Sequence, residues 1–334
     1  MAKNILFLGG TGNISRAVSR RVLAEGHRLT LLNRGRRNHD LPEGARFVKA
    51  DLNRPEDVAE ALGKERFDAI VDWIAFTPGD IDRDYALFHD RTDHYVFISS
   101  ASVYQKPPTQ ALITESTPRA NPFWDYSHQK ILAEERLEQL VRETGFPATI
   151  LRPSLTYDTV IPAAFAAWDD FTLIARLRAG REVVIHGDGT SLWTVTHAED
   201  FARGFVPLLG HPQAIGHAFH ITSDEVLTWN QIYTAIAHAA GIHTPRWVHL
   251  PSDFIVQVEP GLRGTLHGDK MWSAIFDNSK IRRIVPDFRA TIPFHEGIRR
   301  TVAWFEARPE RQRIVAEHDA IHDRLLAAWH ARSG

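Results

Sequence analysis

Short apolar runs alternate with helical patterns through the first half of the chain. The runs cover residues 4–8, 29–32, 45–50, 67–75 and 94–100. Between the first two runs, residues 15–24 repeat apolar positions at helical spacing, and Gly26 follows as a stop signal. Strands that alternate with helices are typical of a parallel sheet with helices on both faces. We therefore predict an α/β fold with a Rossmann-type, doubly wound parallel sheet.

The second half of the chain has shorter apolar runs. The pattern predicts a basic amphipathic helix over residues 172–178, strands over 183–186 and 218–221, and a capped helix over 228–240. Such short elements suit a small lobe that binds substrate against the main sheet. We predict a dinucleotide-binding domain over residues 1–153. Residues 154–334 are predicted to form mainly a smaller α/β substrate lobe, with segments that return to the main sheet.

Composition narrows the class of protein. The chain has 334 residues, 43% of them hydrophobic, which is enough for one large α/β unit with an appended lobe. It has no cysteine, which excludes disulfides and thiolate metal sites, and its formal net charge of -2 provides no basic surplus for nucleic acid. No apolar stretch reaches the roughly 18 residues that span a bilayer, and the run at 4–8 is too short for a signal peptide. We expect a cytoplasmic protein without a membrane or nucleic-acid partner.

A glycine-rich loop follows the first apolar run. A strand, a glycine loop and a helix form the context that a dinucleotide fingerprint requires. Gly9 would permit the tight turn, Gly12 would let the backbone approach a pyrophosphate at the helix N-terminus, and Ser15 is small enough to replace the third glycine. An ordinary strand-to-helix turn has the same local pattern. The predicted cofactor contacts in the loop are Gly9, Thr11, Gly12, Asn13 and Ile14.

The ends of the later strands carry further candidates. An acidic residue after the second strand would bind the ribose hydroxyl of NAD and repel a 2′-phosphate. This chain has neutral Asn33 followed by Arg34, whose guanidinium suits a phosphate, so NADP is favoured over NAD. A solvated loop of Arg34, Arg36 and Arg37 is the alternative. The other predicted cofactor contacts are Asp51, whose carboxylate could accept from the adenine amino group, Leu52, Ala75 and Pro153.

The spacing of Tyr126 and Lys130, 26 positions after Ser100, predicts redox chemistry. Residues four apart project from the same face of a helix. A lysine cation beside a phenol favours the phenolate, which lowers the tyrosine pKa from about 10. A serine hydroxyl can hold the substrate oxygen while the proton moves. Ser100, Tyr126 and Lys130 are therefore the predicted catalytic residues.

Together these motifs resemble the extended short-chain dehydrogenase/reductase family, the group of NAD(P)-dependent nucleotide-sugar epimerases and dehydratases. The resemblance covers nearly the whole chain and includes residues 100–104, 126–130, 151–153, 187–190 and 277–280. It implies that Tyr126 is the general acid/base and that Lys130 binds the nicotinamide ribose and lowers the tyrosine pKa. It also implies that Ser100 hydrogen-bonds the reacting oxygen. Relatives pair through two helices per subunit, so a homodimer is expected in which the helix over 126–142 takes part.

Departures from the family pattern bear on the substrate. Family 4,6-dehydratases place an Asp-Glu pair at Ala101-Ser102, so their elimination route is not expected here. Uridine-sugar epimerases have an asparagine at the position of Leu155 and an arginine at that of Trp193, which puts a nucleotide-sugar substrate in doubt. Arg176, Arg178 and Arg263 are candidates to replace the missing cation.

Aromatic residues and histidines supply the remaining candidates. Trp73, Trp124, Trp168, Trp193 and Trp272 lie in segments that we place near the cleft, where rings could stack on a substrate. Core packing is the alternative for each. The predicted substrate contacts are Ser102, Trp124, Trp193 and His197, and His197 could instead pack or cap a helix.

No metal site is predicted. His318 and His322 have the i,i+4 spacing of a helical metal site, but the Glu of a zinc protease motif is missing between them. We expect a solvated helix face there.

The sequence thus predicts an oxidoreductase or epimerase-like enzyme that uses NADP, or alternatively NAD. It would transfer hydride at a carbinol or carbonyl carbon of a small molecule, either a sugar or a sugar-derived compound. A retained cofactor would make it an epimerase, and an exchanging one a dehydrogenase or reductase. The alternative is a non-catalytic nucleotide-sensing or RNA-associated protein. The glycine loop and Asn33-Arg34-Gly35 resemble those of a chloroplast stem-loop RNA-binding group.

Overall fold

The computed structural model describes residues 1–35 and 42–333. Its strands are β1 (Asn4–Leu8), β2 (Arg28–Asn33), β3 (Arg46–Lys49), β4 (Ala69–Asp72), β5 (Tyr95–Ile98), β6 (Leu112–Ile113), β7 (Ala148–Leu151), β8 (Leu155–Tyr157), β9 (Val183–His186), β10 (Leu192–Trp193), β11 (Val195–His197), β12 (Ala218–Phe219), β13 (Leu227–Thr228), β14 (Trp247–Leu250) and β15 (Ile275–Phe276). Its helices are α1 (Asn13–Ala24), α2 (Pro55–Leu62), α3 (Pro78–Phe88), α4 (Asp125–Thr144), α5 (Thr172–Arg178), α6 (Ala198–Phe205), α7 (Trp229–Ala239), α8 (Ser252–Val258), α9 (Arg263–Thr265), α10 (Ser279–Ile284), α11 (Phe294–Glu306) and α12 (Ala316–Ser333). A π-helical turn, Leu266–Lys270, continues α9.

The main sheet of the described chain has seven parallel strands in the order β12-β7-β5-β4-β1-β2-β3. The order reverses at β1, because β2 lies on one side of it and β4 on the other. Ligands of such sheets bind beyond the carboxyl ends of the strands near this reversal. The predicted Rossmann-type, doubly wound sheet is confirmed.

Helices cover both faces of the sheet, which explains the continuous apolar runs in the sequence. In β1, Ile5 and Phe7 pack on the face covered by α1 and α6. Leu6 and Leu8 pack on the opposite face, against α2, α3 and α4. Because both faces of the strand are buried from Ile5 to Leu8, all four of these positions are apolar.

The second half of the chain builds a separate apolar core from α5, α7, α11 and α12 with short strand pairs. The pairs are β8 with β11, β9 with β14, β10 with β13, and β6 with β15. Two segments return to the main sheet: β12 pairs with β7, and α6 packs against α1. The division into domains at residue 153 stays a prediction.

Two sequence expectations differ from the fold. The fourth strand ends at Asp72 instead of residue 75, because the Asp72 carboxylate accepts hydrogen bonds from the Ile74 and Ala75 N–H groups and turns the chain out of the sheet. The helix face at His322 is also not solvated. His322 is 1% exposed, and its Nδ1 accepts from the Val184 N–H.

Two further observations concern metal binding and membrane-spanning helices. His318 pairs with Asp170 at 2.8 Å, so the two histidines have separate partners. Within residues 1–35 and 42–333, no cluster of three His, Asp or Glu residues could hold a metal ion. In the same ranges, no helix combines the length and the apolar composition needed to cross a membrane.

Candidate active site

A cavity of about 550 Å³ lies at the carboxyl ends of the central strands. The glycine loop forms one end of it, and lobe residues form the other. The lining residues are Gly9–Ser15, Trp73, Ile74, Ile98–Ser102, Lys106, Trp124, Tyr126, Lys130, Pro153–Thr156, Trp168, Trp193, Asp269, Lys270, Ala274 and Phe276. The predicted loop residues, the predicted triad and most of the predicted substrate contacts therefore share one cavity.

The glycine loop turns where β1 meets α1. Gly9 and Gly10 have φ values of +92° and +85°, and a Cβ on Gly9 would lie 2.8 Å from Ile74 Cγ2. Only glycine fits such a conformation at such a close approach. The Gly12 N–H donates to Ser15 Oγ at 2.8 Å, so Ser15 both packs closely and holds the turn.

The loop fits a dinucleotide pyrophosphate. The first turn of α1 carries no acidic side chain, and its positive end opens on the cavity. Asn13 lines the cavity, but its side chain bonds to the lobe. Its Nδ2 donates to the Thr156 carbonyl at 2.8 Å, and its Oδ1 accepts from the Thr159 N–H. Asn13 thereby ties the glycine loop to the lobe.

The predicted contacts after β2 and β3 lie outside the cavity lining. Asn33 Oδ1 accepts from the Gly35 N–H at 2.7 Å, and Arg34 is exposed. Asp51 accepts from the Asn53 N–H, and Leu52 is buried. Arg36 and Arg37 lie outside the described residues. The cofactor roles of these residues stay predictions, which rest on their position at the ends of strands.

Lys130 joins two strand ends. It is 6% exposed, and its Nζ donates to the carbonyls of Ala75 and Ile98 at 2.7 and 2.9 Å. Ala75 is buried, so its part in the site is this carbonyl. Burial lowers the pKa of Lys130 to about 8, against the opposing carboxylates of Asp72 and Glu134. The ammonium is thus held at the boundary between the glycine loop and the rest of the cavity.

The predicted effect of Lys130 on Tyr126 is wrong for this structure. Burial raises the pKa of the Tyr126 phenol, a hydrogen bond with Ser100 opposes the rise, and Asp269 adds to it. The Lys130 ammonium instead donates to two backbone carbonyls. The raised pKa favours the protonated phenol.

A chain of hydroxyls supports Ser100. The Ser127 hydroxyl donates to Ser102 Oγ at 2.8 Å, and the Ser102 and Ser100 hydroxyls lie 2.9 Å apart. Asn121 Nδ2 donates to the carbonyls of Ser102 and Gly268, which ties the chain to the π-helical turn. Ser102, a predicted substrate contact, lines the cavity and also orients Ser100. Sequence reasoning missed Ser127, although its place directly after Tyr126 was a usable signal.

The Leu-Arg-Pro motif positions α4. Arg152 Nη2 donates to Glu134 Oε2 at 2.6 Å, and Arg119 Nη1 donates to the same oxygen at 2.8 Å. Burial alone would raise the pKa of the Glu134 carboxyl, but the Arg152 charge and hydrogen bond more than offset it, and this pKa lies below its usual value. Glu134 lies one helical turn after Lys130, so the Arg152–Glu134 pair fixes the helix that carries Tyr126 and Lys130. Pro153 lines the cavity beside it.

Aromatic rings and lysines form the lobe end of the cavity. The Trp124 and Tyr126 ring centroids are 4.9 Å apart, and Lys270 Nζ lies 5.9 and 6.0 Å from the Trp124 and Trp193 rings. Trp73 and Trp168 also line the cavity, as predicted, whereas Trp272 donates from its Nε1 to the His267 carbonyl outside it. Sequence reasoning missed Lys106, Asp269 and Lys270, which no local motif marks.

Two substrate expectations are corrected by the geometry. His197 lies outside the cavity lining, and its Nδ1 accepts from the Glu199 N–H, so it caps α6. The arginines proposed to replace a missing cation lie elsewhere as well. Arg176 pairs with Asp319, and Arg178 pairs with Glu306. Arg263 is exposed and lies outside the lining.

The fold and the cluster of Ser100, Tyr126 and Lys130 define an extended short-chain dehydrogenase/reductase. The model of the NAD dependent epimerase/dehydratase family matches residues 5–222, and the chain belongs to this family. The 2'-dehydrokanamycin reductase of Streptomyces kanamyceticus is 26% identical over 286 residues, which are 85% of this chain and 80% of the relative. The chloroplast stem-loop binding protein of 41 kDa b of Arabidopsis thaliana is 25% identical over 266 residues, 75% of this chain and 67% of the relative.

Solved structures support the fold. The epimerase Mth375 of Methanothermobacter thermautotrophicus has a TM-score of 0.75 at 19% identity, and the match covers 92% of this chain and 94% of that one. The UDP-glucose 4-epimerase of Thermus thermophilus, solved with NAD, has a TM-score of 0.69 at 20% identity over 90% and 98% of the two chains. At these identities the likeness concerns the fold.

Proposed function

We propose that the protein is an NADP-dependent reductase that acts on a carbonyl group of a sugar or sugar-derived small molecule. The observation that carries the proposal is that Ser100, Tyr126 and Lys130 line the same cavity as the glycine loop. Tyr126 is held there with its pKa raised, which suits donation of a proton to a carbonyl oxygen. The match to a reductase over most of both chains adds support.

The residues divide the work of the reaction. When bound, NADPH supplies the hydride that the carbonyl carbon receives. Ser100 holds the carbonyl oxygen through its hydroxyl, and Tyr126 donates the proton that completes the alcohol. Lys130 donates two of its ammonium N–H groups to backbone carbonyls, and the third would hold the nicotinamide ribose.

An epimerase built on the same cavity needs a cofactor that stays bound between two hydride transfers. The lack of an arginine at the position of Trp193 argues against a nucleotide-sugar epimerase. The Ala101-Ser102 sequence argues against a 4,6-dehydratase. We therefore favour a cofactor that exchanges after each turnover, with Arg34 as the reader of its 2′-phosphate.

A titration of the purified protein with NADPH and NADH, followed by tryptophan quenching, tests the proposal. We expect no cofactor retained through purification, tighter binding of NADPH than of NADH, and NADPH oxidation with members of a keto-sugar panel. Tightly retained cofactor would favour an epimerase, and a preference for NADH would contradict the role of Arg34. Failure to bind either cofactor would contradict the proposal as a whole.

An RNA-associated role is the second candidate, supported by the match to the chloroplast stem-loop binding protein. The formal net charge of -2 and the complete set of Ser100, Tyr126 and Lys130 argue against it. In a filter assay with stem-loop RNA, we expect no binding. An RNA-binding protein would instead show binding that weakens steeply as the salt concentration rises. Such binding would favour this candidate.

We also propose a homodimer in which α4 contributes to the contact between subunits. Light scattering should report particles of twice the 37.8 kDa chain mass. A stable population of single chains would exclude it.

A further inference from the structure

The lobe end of the cavity carries an uncompensated positive charge. Lys106 is 3% exposed and lines the cavity. Across residues 1–35 and 42–333, no hydrogen bond or ion pair engages the Lys106 ammonium, and Asp269 acts on it from beyond ion-pairing distance. The side chain is almost wholly removed from bulk water. An ammonium in such a place without a partner is costly, so the site gains when an anion binds.

Lys270, which lines the same cavity, has a partner for its ammonium. Lys270 Nζ lies 3.3 Å from Asp269 Oδ2 and also faces the rings of Trp124 and Trp193. This wall therefore holds two ammonium groups and one carboxylate. Among the described residues, Lys106 is the amine of this wall that has no partner. Burial lowers the pKa of Lys106, Asp269 opposes the fall and Lys270 adds to it, and a bound anion would favour the charged form.

The backbone, and not the ammonium, holds Lys106 in place. Its N–H donates to the Ala120 carbonyl at 2.8 Å, and the Gln105 N–H donates to the Pro118 carbonyl at 2.8 Å. The side chain is thus brought into the cavity by the segment it belongs to. A lysine with a purely structural role would be expected to donate hydrogen bonds from its ammonium to other groups of the protein.

The charged wall lies next to the catalytic tyrosine. Trp124 contacts the Tyr126 ring on one side and lies near Lys270 on the other. A substrate whose carbonyl meets Tyr126 can rest a ring face on Trp124 and direct a charged group to the lysines. The buried Trp193 closes the wall, and the same cavity of about 550 Å³ must also admit the nicotinamide end of a cofactor, so the charged group must be compact.

We propose that Lys106 and Lys270 form a subsite for one compact anionic group of the substrate, a carboxylate or a phosphate monoester. This proposal rests on the proposed reductase function for the reacting carbonyl, but the binding subsite is testable without turnover. It specifies the substrate class as an acidic sugar derivative. A neutral or positively charged sugar would leave the Lys106 charge unmatched.

The test is a set of binding titrations on the protein saturated with NADP, monitored by tryptophan quenching and calorimetry. The probes are glucuronate and glucose 6-phosphate, with neutral glucose and cationic glucosamine as comparisons. We expect an anionic probe to bind, and Lys106→Gln to weaken it by about tenfold or more while the affinity for NADP stays unchanged. The tighter of the two anions identifies the carboxylate or the phosphate as the group recognised. The matched control is Lys280→Gln, because Lys280 is half-buried over Phe219 and lies outside the cavity lining.

A second measurement, the melting temperature Tm, does not depend on the choice of sugar probe. Lys106→Met should raise the Tm of the protein without ligand, since it removes an unpaired buried charge. With NADP saturating the glycine-loop end, inorganic phosphate should raise the Tm of the wild type and leave that of Lys106→Met unchanged. Equal binding of glucose, glucosamine and the anions, or an unchanged affinity in Lys106→Gln, would overturn the subsite.

These outcomes separate the two proposals. Anion binding without NADPH oxidation on acidic keto sugars would leave the subsite standing and remove the reductase function. Turnover of neutral ketones that Lys106→Gln leaves unaffected would do the reverse.

Discussion

The two ends of the cavity are built in different ways. The end where we propose that the cofactor binds is formed mainly by the glycine loop, one continuous stretch that follows β1 and opens α1. The substrate end brings together Lys106, Trp124, Trp193 and the turn Leu266–Lys270 from four separate parts of the chain. A local motif therefore determines the first end, whereas the fold alone assembles the second. Between them, α4 carries Tyr126 and Lys130 and belongs to both.

The largest loss of stability is expected at the Arg152–Glu134 pair, which fixes α4 between the two ends of the cavity. Arg152→Met leaves the buried Glu134 carboxylate without its main partner, and we expect a loss of about 3–5 kcal/mol in the free energy of unfolding. Urea denaturation measures it. Arg136→Met is the control, because Arg136 lies on α4 together with Glu134. Its partly exposed pair with Asp82 should contribute about 0–1 kcal/mol. Equal effects of the two variants would show that the buried pair does not fix α4.

A pH dependence should follow from Lys130. Its folded pKa of about 8 lies below the ordinary value of 10.5, so folding expels its proton at intermediate pH. The stability penalty of the buried ammonium is present below pH 8 and disappears as the pH rises toward 10.5, a change on the order of 3 kcal/mol. The measurement is the free energy of unfolding of the wild type minus that of Lys130→Met, from pH 7 to 11. A difference that stays flat across this window would contradict the lowered pKa.

Gly9→Ala should separate the two ends. The added Cβ meets Ile74 and the backbone must keep a positive φ, so we expect weaker NADPH binding by about tenfold and a loss of about 1–2 kcal/mol of stability. Glucuronate binding at the other end should not change. Gly26→Ala matches the backbone strain, since Gly26 has φ +78°, but its Cβ has open space. NADPH affinity that falls equally in both variants would mean that the loop has no special role.

The same contrast explains which residues of the candidate site could be predicted from the sequence. Gly9, Gly12, Tyr126 and Lys130 could be placed because each depends on neighbours within a few residues. Lys106 and Lys270 could not, since 163 intervening residues separate them and only the folded lobe brings them to one wall.

The wrong expectations have the same origin. His197 caps α6 through its own local turn, and the sequence alone cannot distinguish a cap from a site residue there. His322 was expected in solvent because its helix is highly charged, yet α12 packs His322 against β9. The direction of the Lys130 ammonium depends on two carbonyls, of Ala75 and Ile98, that no side-chain pattern records.

The smallest effect is expected at the hydroxyl chain. Ser127→Ala removes the donor to Ser102, which should loosen Ser100 and lower kcat by about three- to tenfold with little change in KM or fold stability. Steady-state kinetics with an acidic keto sugar measures it. Ser19→Ala is the control, because that buried hydroxyl has no hydrogen-bond partner within residues 1–35 and 42–333 and its loss should not alter kcat. If KM rises and kcat holds in Ser127→Ala, the chain serves binding and does not orient Ser100.

The most direct test of the whole account is Tyr126→Phe. The Tyr126 phenol lies between the glycine-loop end and the lobe end of the cavity, and in the proposed reaction its hydroxyl donates the proton. We predict that NADPH and glucuronate bind the variant with wild-type affinity while NADPH oxidation falls by about 100- to 10,000-fold. A variant that oxidises NADPH at the wild-type rate would contradict the account.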